Sequence, residues 1–226
     1  MSSALDRRSP PLAGFLTAVS IRIDPRSSPP PGGPMEVWRA DLGAPAEELL
    51  ELLSPEERAR AARIVREEDR ERWMRARAVL RALLGSHLES DPRGLCFQTG
   101  AHGKPALPGS ELSFNISHSG GIAVYALARG VSAVGVDVEL LQRRPRDEPA
   151  LAERAFSPAI ARRLRALDPA ARHTEFLREW VRHEAALKCL GVGLSATSAA
   201  AERRADLWIA ELHLDPHAVG ALALTP

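Results

Sequence analysis

Glu184 and Lys188 stand one helical turn apart in the run Phe176-Leu177-Arg178-Glu179-Trp180-Val181-Arg182-His183-Glu184-Ala185-Ala186-Leu187-Lys188-Cys189-Leu190-Gly191. At roughly 100° per residue, Trp180, Glu184 and Lys188 share one stripe, so a helix here carries an aromatic anchor, a carboxylate and an ammonium on one face. Taken alone, an i,i+4 Glu–Lys pair is a solvated contact worth about 0.2–0.5 kcal/mol. Composition gives this pair more weight. The chain holds 30 Lys+Arg, yet only Lys104 and Lys188 are lysine, leaving 28 arginines. A compact, flexible ammonium kept for two places suits a phosphate group.

Three further stretches carry candidate chemistry. In Gly135-Val136-Asp137-Val138-Glu139, a strand's period of two puts Gly135, Asp137 and Glu139 on one exposed face and the valines in the core. Carboxylates about 7 Å apart can bracket a hard cation, with Gly135 leaving room for a ligand; all-oxygen donors favour Mg²⁺ over zinc. The plainer alternative is an acidic wet face on an edge strand. Phe114-Asn115-Ile116-Ser117-His118-Ser119-Gly120-Gly121 reads as a strand ending in a loop of hydroxyls, an imidazole and free backbone N–H groups that suit an anion. A hairpin turn whose side chains satisfy local backbone explains it equally well. Gly103-Lys104-Pro105 sits in a polar loop, where Lys104 is either a ligand or a solvated turn lysine.

These residues need elements to hold them. The Phe176–Gly191 run ends at Gly191, a left-handed exit, and its helical region begins at Ser157-Pro158 with a break at Asp168-Pro169. Ser54-Pro55-Glu56-Glu57 is a capping-box start, followed by Arg- and Ala-rich helix to Gly85. Met35–Ala40, Leu95–Thr99, Leu112–Ile116, Ile122–Ala128 and Val131–Leu140 read as strands, Arg143–Pro149 as a charged connection, and Leu207–Leu214 with Ala218–Leu224 as a closing hairpin. Trp73 to Leu83 aligns without gaps on Trp180 to Leu190, each downstream of a Ser-Pro helix start. The order of elements therefore predicts two similar α+β halves, 35–131 and 132–226, preceded by a proline-rich tail, 1–34, expected to lack regular structure and to be mobile. In such a pair, Arg77 and Arg81 would face Glu184 and Lys188 across a cleft.

A chain of 226 residues with 45% hydrophobic residues can bury a core. Its net charge of +1 gives no general drive toward nucleic acid or an anionic membrane, so any anion site is local. Cys96 and Cys189 are far apart in apolar surroundings, which predicts no disulfide and a reducing cytoplasm. No apolar run approaches a membrane span or a secretion signal.

Taken in order, Gly103-Lys104-Pro105, Phe114 to Ser119, Gly135 to Glu139 and Trp180-x-x-His183-Glu184-Ala185-x-x-Lys188-x-x-Gly191 resemble the Sfp-type 4′-phosphopantetheinyl transferases. Leu53 to Arg58, Asp69-Arg70 and Arg77-Ala78-x-Leu80-Arg81 look like that family's N-terminal signature, and Trp208-Ile209-Ala210 with Ala221-Leu222-Ala223 like its last hairpin, so the resemblance spans 36–224. It implies an α+β, pseudo-twofold duplicated, two-subdomain fold with coenzyme A in the cleft, in a monomer whose halves mimic a dimer. It implies Mg²⁺ held by Asp137, Glu139 and Glu184, with Glu184 as general base and Lys188 stabilising the leaving phosphate. Ser117 and His118 would contact phosphate, Gly103, Lys104 and Pro105 would line the adenine, and Arg60 and Arg77 would lie near the 3′-phosphate. The implied reaction transfers phosphopantetheine to a serine of an acyl or peptidyl carrier protein of fatty-acid, polyketide or nonribosomal peptide synthesis, releasing 3′,5′-ADP. The family usually places Lys where His183 stands. An imidazole contacting the coenzyme's phosphates would make affinity pH-dependent, unless Arg182 or the N-terminal arginines supply the charge. A coenzyme A-binding module without turnover and an Mg²⁺-dependent phosphohydrolase are the competing readings.

Overall fold

The computed structural model describes residues 12, 15–22, 30–44, 47–100, 102–192, 206–214 and 216–225. The chain runs β1 (Leu16–Ala18), β2 (Ser20–Arg22), β3 (Met35–Asp41), α1 (Glu47–Leu50), α2 (Pro55–Ala61), α3 (Glu67–His87), β4 (Gln98–Thr99), β5 (Pro105–Ala106), β6 (Leu112–Ser119) and β7 (Ile122–Arg129). It continues through β8 (Val134–Leu140), α4 (Glu148–Ala155), α5 (Pro158–Ala166), α6 (Pro169–Leu190), β9 (Trp208–His213) and β10 (Ala218–Leu224). Local signals set the helix ends. Ser54 and Glu57 form a reciprocal capping box on α2, Asp168 caps α6 ahead of Pro169, and Gly191 leaves α6 at φ +69°.

Duplication is plain in the topology. One sheet has the order β1-β3-β7-β6 and the other β2-β9-β10-β8, so in each half a first strand, a long helix and a hairpin recur, with the last strand in the middle. The sheets pack through inward-facing Val37, Val124 and Ala126 on one side and Val136, Val138 and Leu222 on the other. Helix α3 covers the outer face of the first sheet with Leu80, Leu83 and Leu84, and there the Tyr125 hydroxyl donates to the Ala76 carbonyl at 3.0 Å. Helix α6 covers the second sheet through Val181, Ala185 and Cys189 against Ala221 and Ala223. Its flank, Phe176, Leu177 and Trp180, packs on Phe156 in a satellite core shared with α4 and α5.

Several expectations are corrected. Residues 1–34 are not wholly without structure: Leu16–Arg22 adds β1 to β3 and β2 to β9, because Thr17, Val19 and Ile21 alternate as a strand requires. Other parts of that expected tail lie outside the described residues. Ser117, His118 and Ser119 are not loop; they continue β6 opposite Val124, Ala123 and Ile122, and the turn comes at Gly120, φ +54°. Asp147 caps a helix, α4, where a connection was expected, and the 95–99 strand shortens to β4.

Gly135 has a different reason from the one expected. A Cβ there would sit 2.1 Å from the Ala185 carbonyl oxygen and 2.3 Å from the Cys189 amide nitrogen. Backbone of α6 fills the space that a ligand was expected to use. Gly135→Ala is therefore expected to destabilise the fold by about 3 kcal/mol or more, by pushing α6 off its sheet, as read from urea denaturation.

Candidate functional site

Strands β6 and β8 are the edges of their sheets, and they meet along a seam of side chains. The Asn115 Oδ1 accepts the Val136 N–H at 2.8 Å, and the Ser119 Oγ accepts the Leu140 N–H at 3.2 Å while donating to Glu139 Oε2 at 2.8 Å. Ser117 Oγ donates to Asp137 Oδ1 at 2.8 Å. From α6, the Lys188 ammonium reaches the same two groups, Asp137 Oδ1 at 2.7 Å and Ser117 Oγ at 2.9 Å. The expected wet face is in fact buried: Asp137 is 4% exposed and Glu139 8%.

Glu184 lies beside this cluster. Burial first, and then the negative charge of Asp137, push its carboxyl above the ordinary carboxylate range, with Lys188 and Arg143 opposing. Glu184 Oε1 and Asp137 Oδ2 are both buried without a hydrogen-bond partner. Glu139 instead pairs with Arg143 on the connection that follows β8. Among the described residues no group of three or more His, Cys, Asp or Glu is arranged to hold a metal ion. Two protein cations, Lys188 and Arg143, take oxygens of Asp137 and Glu139.

A cavity of about 250 Å³ opens next to Lys188. Arg60, Trp73 and Arg77 wall it from the N-terminal half, Gly103, Lys104 and Pro105 from the β4–β5 hairpin, and His118 and Gly191 complete it. The surrounding protein, then Lys188 and Arg72, hold the His118 imidazole below its usual pKa, which favours the neutral ring. A second cavity of about 500 Å³ meets the first at His118 and reaches Asp69, Arg72, Glu139 and Arg143.

Lys104 lines the first cavity but spends its charge elsewhere. Its ammonium donates to the carbonyls of Val134 and Lys188, each at 2.8 Å, and of Cys189 at 3.4 Å. It thus neutralises the carbonyl end of α6 and ties the two halves together. His183 lies outside that cavity's lining, its ring edge-on to Phe156 at 5.9 Å and tilted on Trp180 at 6.3 Å, in the aromatic satellite core. Trp180 is likewise an anchor, stacked on Phe176 at 5.9 Å. Arg143 was missed as the partner of Glu139, and no local pattern in the sequence marked it.

Two copies of an α+β unit, with guanidiniums from one and Lys188 from the other lining a shared cavity, define a pseudodimeric class suited to a multiply phosphorylated ligand. Comparison with known proteins narrows that class. Residues 133–223 match the 4′-phosphopantetheinyl transferase superfamily model, and residues 38–129 match the model for a 4′-phosphopantetheinyl transferase N-terminal region. The chain is 34% identical to the 4′-phosphopantetheinyl transferase HetI of Nostoc sp. over 84% of its length and 87% of that protein's. It is 36% identical to slr0495 of Synechocystis sp., provisionally named as the same kind of transferase, over 64% of this chain and 59% of that one. The chain belongs to the 4′-phosphopantetheinyl transferase superfamily.

Lys104→Met removes the cation that three carbonyls share. A loss of about 1–3 kcal/mol in denaturant-measured stability is expected, with Lys104→Arg recovering part of it.

Proposed function

We propose that this enzyme transfers the 4′-phosphopantetheine group of coenzyme A to a serine of an acyl or peptidyl carrier protein and releases 3′,5′-ADP. Family membership supports the reaction class. The observation that carries the reading is the cavity itself, lined by Arg60 and Arg77 from the N-terminal half and by Lys188, whose ammonium holds Asp137 Oδ1 at 2.7 Å. Phosphoryl transfer needs positioning and charge neutralisation more than covalent help, and this cavity offers both.

In this reading Arg60 and Arg77 receive the 3′-phosphate, while Gly103, Lys104 and Pro105 border the adenine through backbone and aliphatic surface. His118 offers a neutral ring N–H to the diphosphate. Lys188 turns from Asp137 toward the departing phosphate and meets its growing charge. Ser117 holds Asp137 in place meanwhile. Glu184, with its raised pKa, accepts the proton of the incoming serine hydroxyl, directly or through water.

A divalent cation fits the donor set, because two buried carboxylate oxygens without partners and the like-charge crowding on Glu184 both favour added positive charge. Asp137 and Glu184 would hold it, joined by Glu139 once that side chain leaves Arg143. Mg²⁺ bound there supplies charge withdrawal from the diphosphate. We assign the halves to 35–131 and 132–226, a monomeric state and a cytoplasmic location to the same reading. No helix among the described residues is long and apolar enough to cross a membrane.

The test incubates the chain with coenzyme A, Mg²⁺ and a panel of apo fatty-acid, polyketide and peptide carrier domains, and reads intact mass. A phosphopantetheine-sized increase on at least one carrier is expected, lost with chelator; coenzyme A binding without any mass increase across the panel would overturn the reading. Glu184→Gln should lower turnover by about 100-fold or more, as removal of a general base does. Since it also relieves repulsion with Asp137, its stability should equal or exceed that of the parent.

A further inference from the structure

Glu57 turns inward from α2 and is 7% exposed. Its Oε1 accepts from Arg77 Nε, and its Oε2 accepts from Arg81 Nε at 2.5 Å and from the Ser54 N–H at 3.0 Å. Arg81, 2% exposed, gives another N–H to the Pro92 carbonyl at 2.7 Å. One carboxylate therefore serves two guanidiniums, and the network keeps a surplus positive charge. Arg77 carries that surplus to the wall of the 250 Å³ cavity. Its guanidinium carbon lies 4.1 Å from the centre of the Phe97 ring, which is itself fixed edge-on against Phe114 at 5.8 Å. Among the described residues its terminal nitrogens have no hydrogen-bond partner, and Arg60, shelved on Trp73 at 5.4 Å, lines the same wall. Burial, opposed by Glu57 and reinforced by Arg81 and Arg60, shifts the Arg77 pKa downward.

We infer that Glu57 and Phe97 are positioning residues for phosphomonoester recognition, clamping Arg77 by one edge and one face so that its free edge meets a terminal phosphate of the nucleotide. The inference rests on the function proposed above. A guanidinium fixed in this way loses less side-chain freedom on binding and presents parallel donors matched to phosphate oxygens. Neither residue needs to touch the ligand. Their effect falls on discrimination between ligands with and without that phosphate.

The test titrates adenosine 3′,5′-bisphosphate and adenosine 5′-monophosphate into the full chain by calorimetry. The parent is expected to prefer the bisphosphate by about 30-fold, the order of one charge-assisted bidentate contact. Glu57→Gln and Phe97→Leu should each cut that preference about fivefold or more while monophosphate affinity holds within about twofold. Glu153→Gln, which breaks an exposed pair with Arg165, should leave both affinities alone. A purely structural role would weaken both nucleotides together. If Glu57→Gln does not fold, Phe97→Leu, which keeps apolar bulk on Phe114, decides the matter. An unchanged preference in folded Phe97→Leu overturns the inference alone, whereas a parent that binds no bisphosphate overturns the coenzyme reading with it.

Discussion

A strand buried at the border of its sheet must still find partners for the N–H and C=O groups that point away from its neighbour. Strand β8 meets this need with side chains in place of another backbone. Asn115 and Ser119 from β6 take its amides, and Lys104 takes the Val134 carbonyl. The polar row on β6 is thus required for the two halves to join, and the cluster of Ser117, Asp137 and Lys188 lies on that joint. Folding and site formation draw on the same hydrogen bonds. A chain that failed to close this seam would have no cleft.

The second determinant is how near α6 can approach. Gly135, Ala185, Ala221 and Ala223 strip side-chain bulk from the helix–sheet contact. That nearness brings Lys188 within 2.7 Å of Asp137 and crowds Glu184 against the same acid. Burying like charges together is costly unless a cation joins them. Lys188 and Arg143 each neutralise one carboxylate, and Glu184 is left with a raised pKa and an unpartnered oxygen. The electrostatics of the cluster therefore follow from the packing of small residues some distance behind it.

Much of this was legible in the sequence where local signals act alone. Capping at Ser54, the break at Asp168-Pro169, the exit at Gly191 and the repeated order of strand, helix and hairpin depend on neighbours in the chain, and they read correctly. The two lysines were singled out by scarcity, yet only Lys188 faces the carboxylates; Lys104 serves the end of α6, a partner 84 residues away that no local pattern displays. Gly135 and the buried carboxylates were misread for the same reason, since alternation assigns faces but not what covers them. His183 lies against Phe156, just beyond the end of α4, a contact that no local pattern displays. Prolines around Leu16–Arg22 outweighed a short β-branched alternation whose pairing partners are distant.

That short stretch has a mechanical consequence. Leu16–Ala18 lies along the border of one sheet and Ser20–Arg22 along the border of the other, with the Val19 amide donating to the Val37 carbonyl at 2.8 Å between them. A single extended segment is stitched to both lobes, on top of the apolar interface they already share. Rotation of one lobe against the other would have to tear those stitches. The segment therefore opposes any widening of the mouth between them.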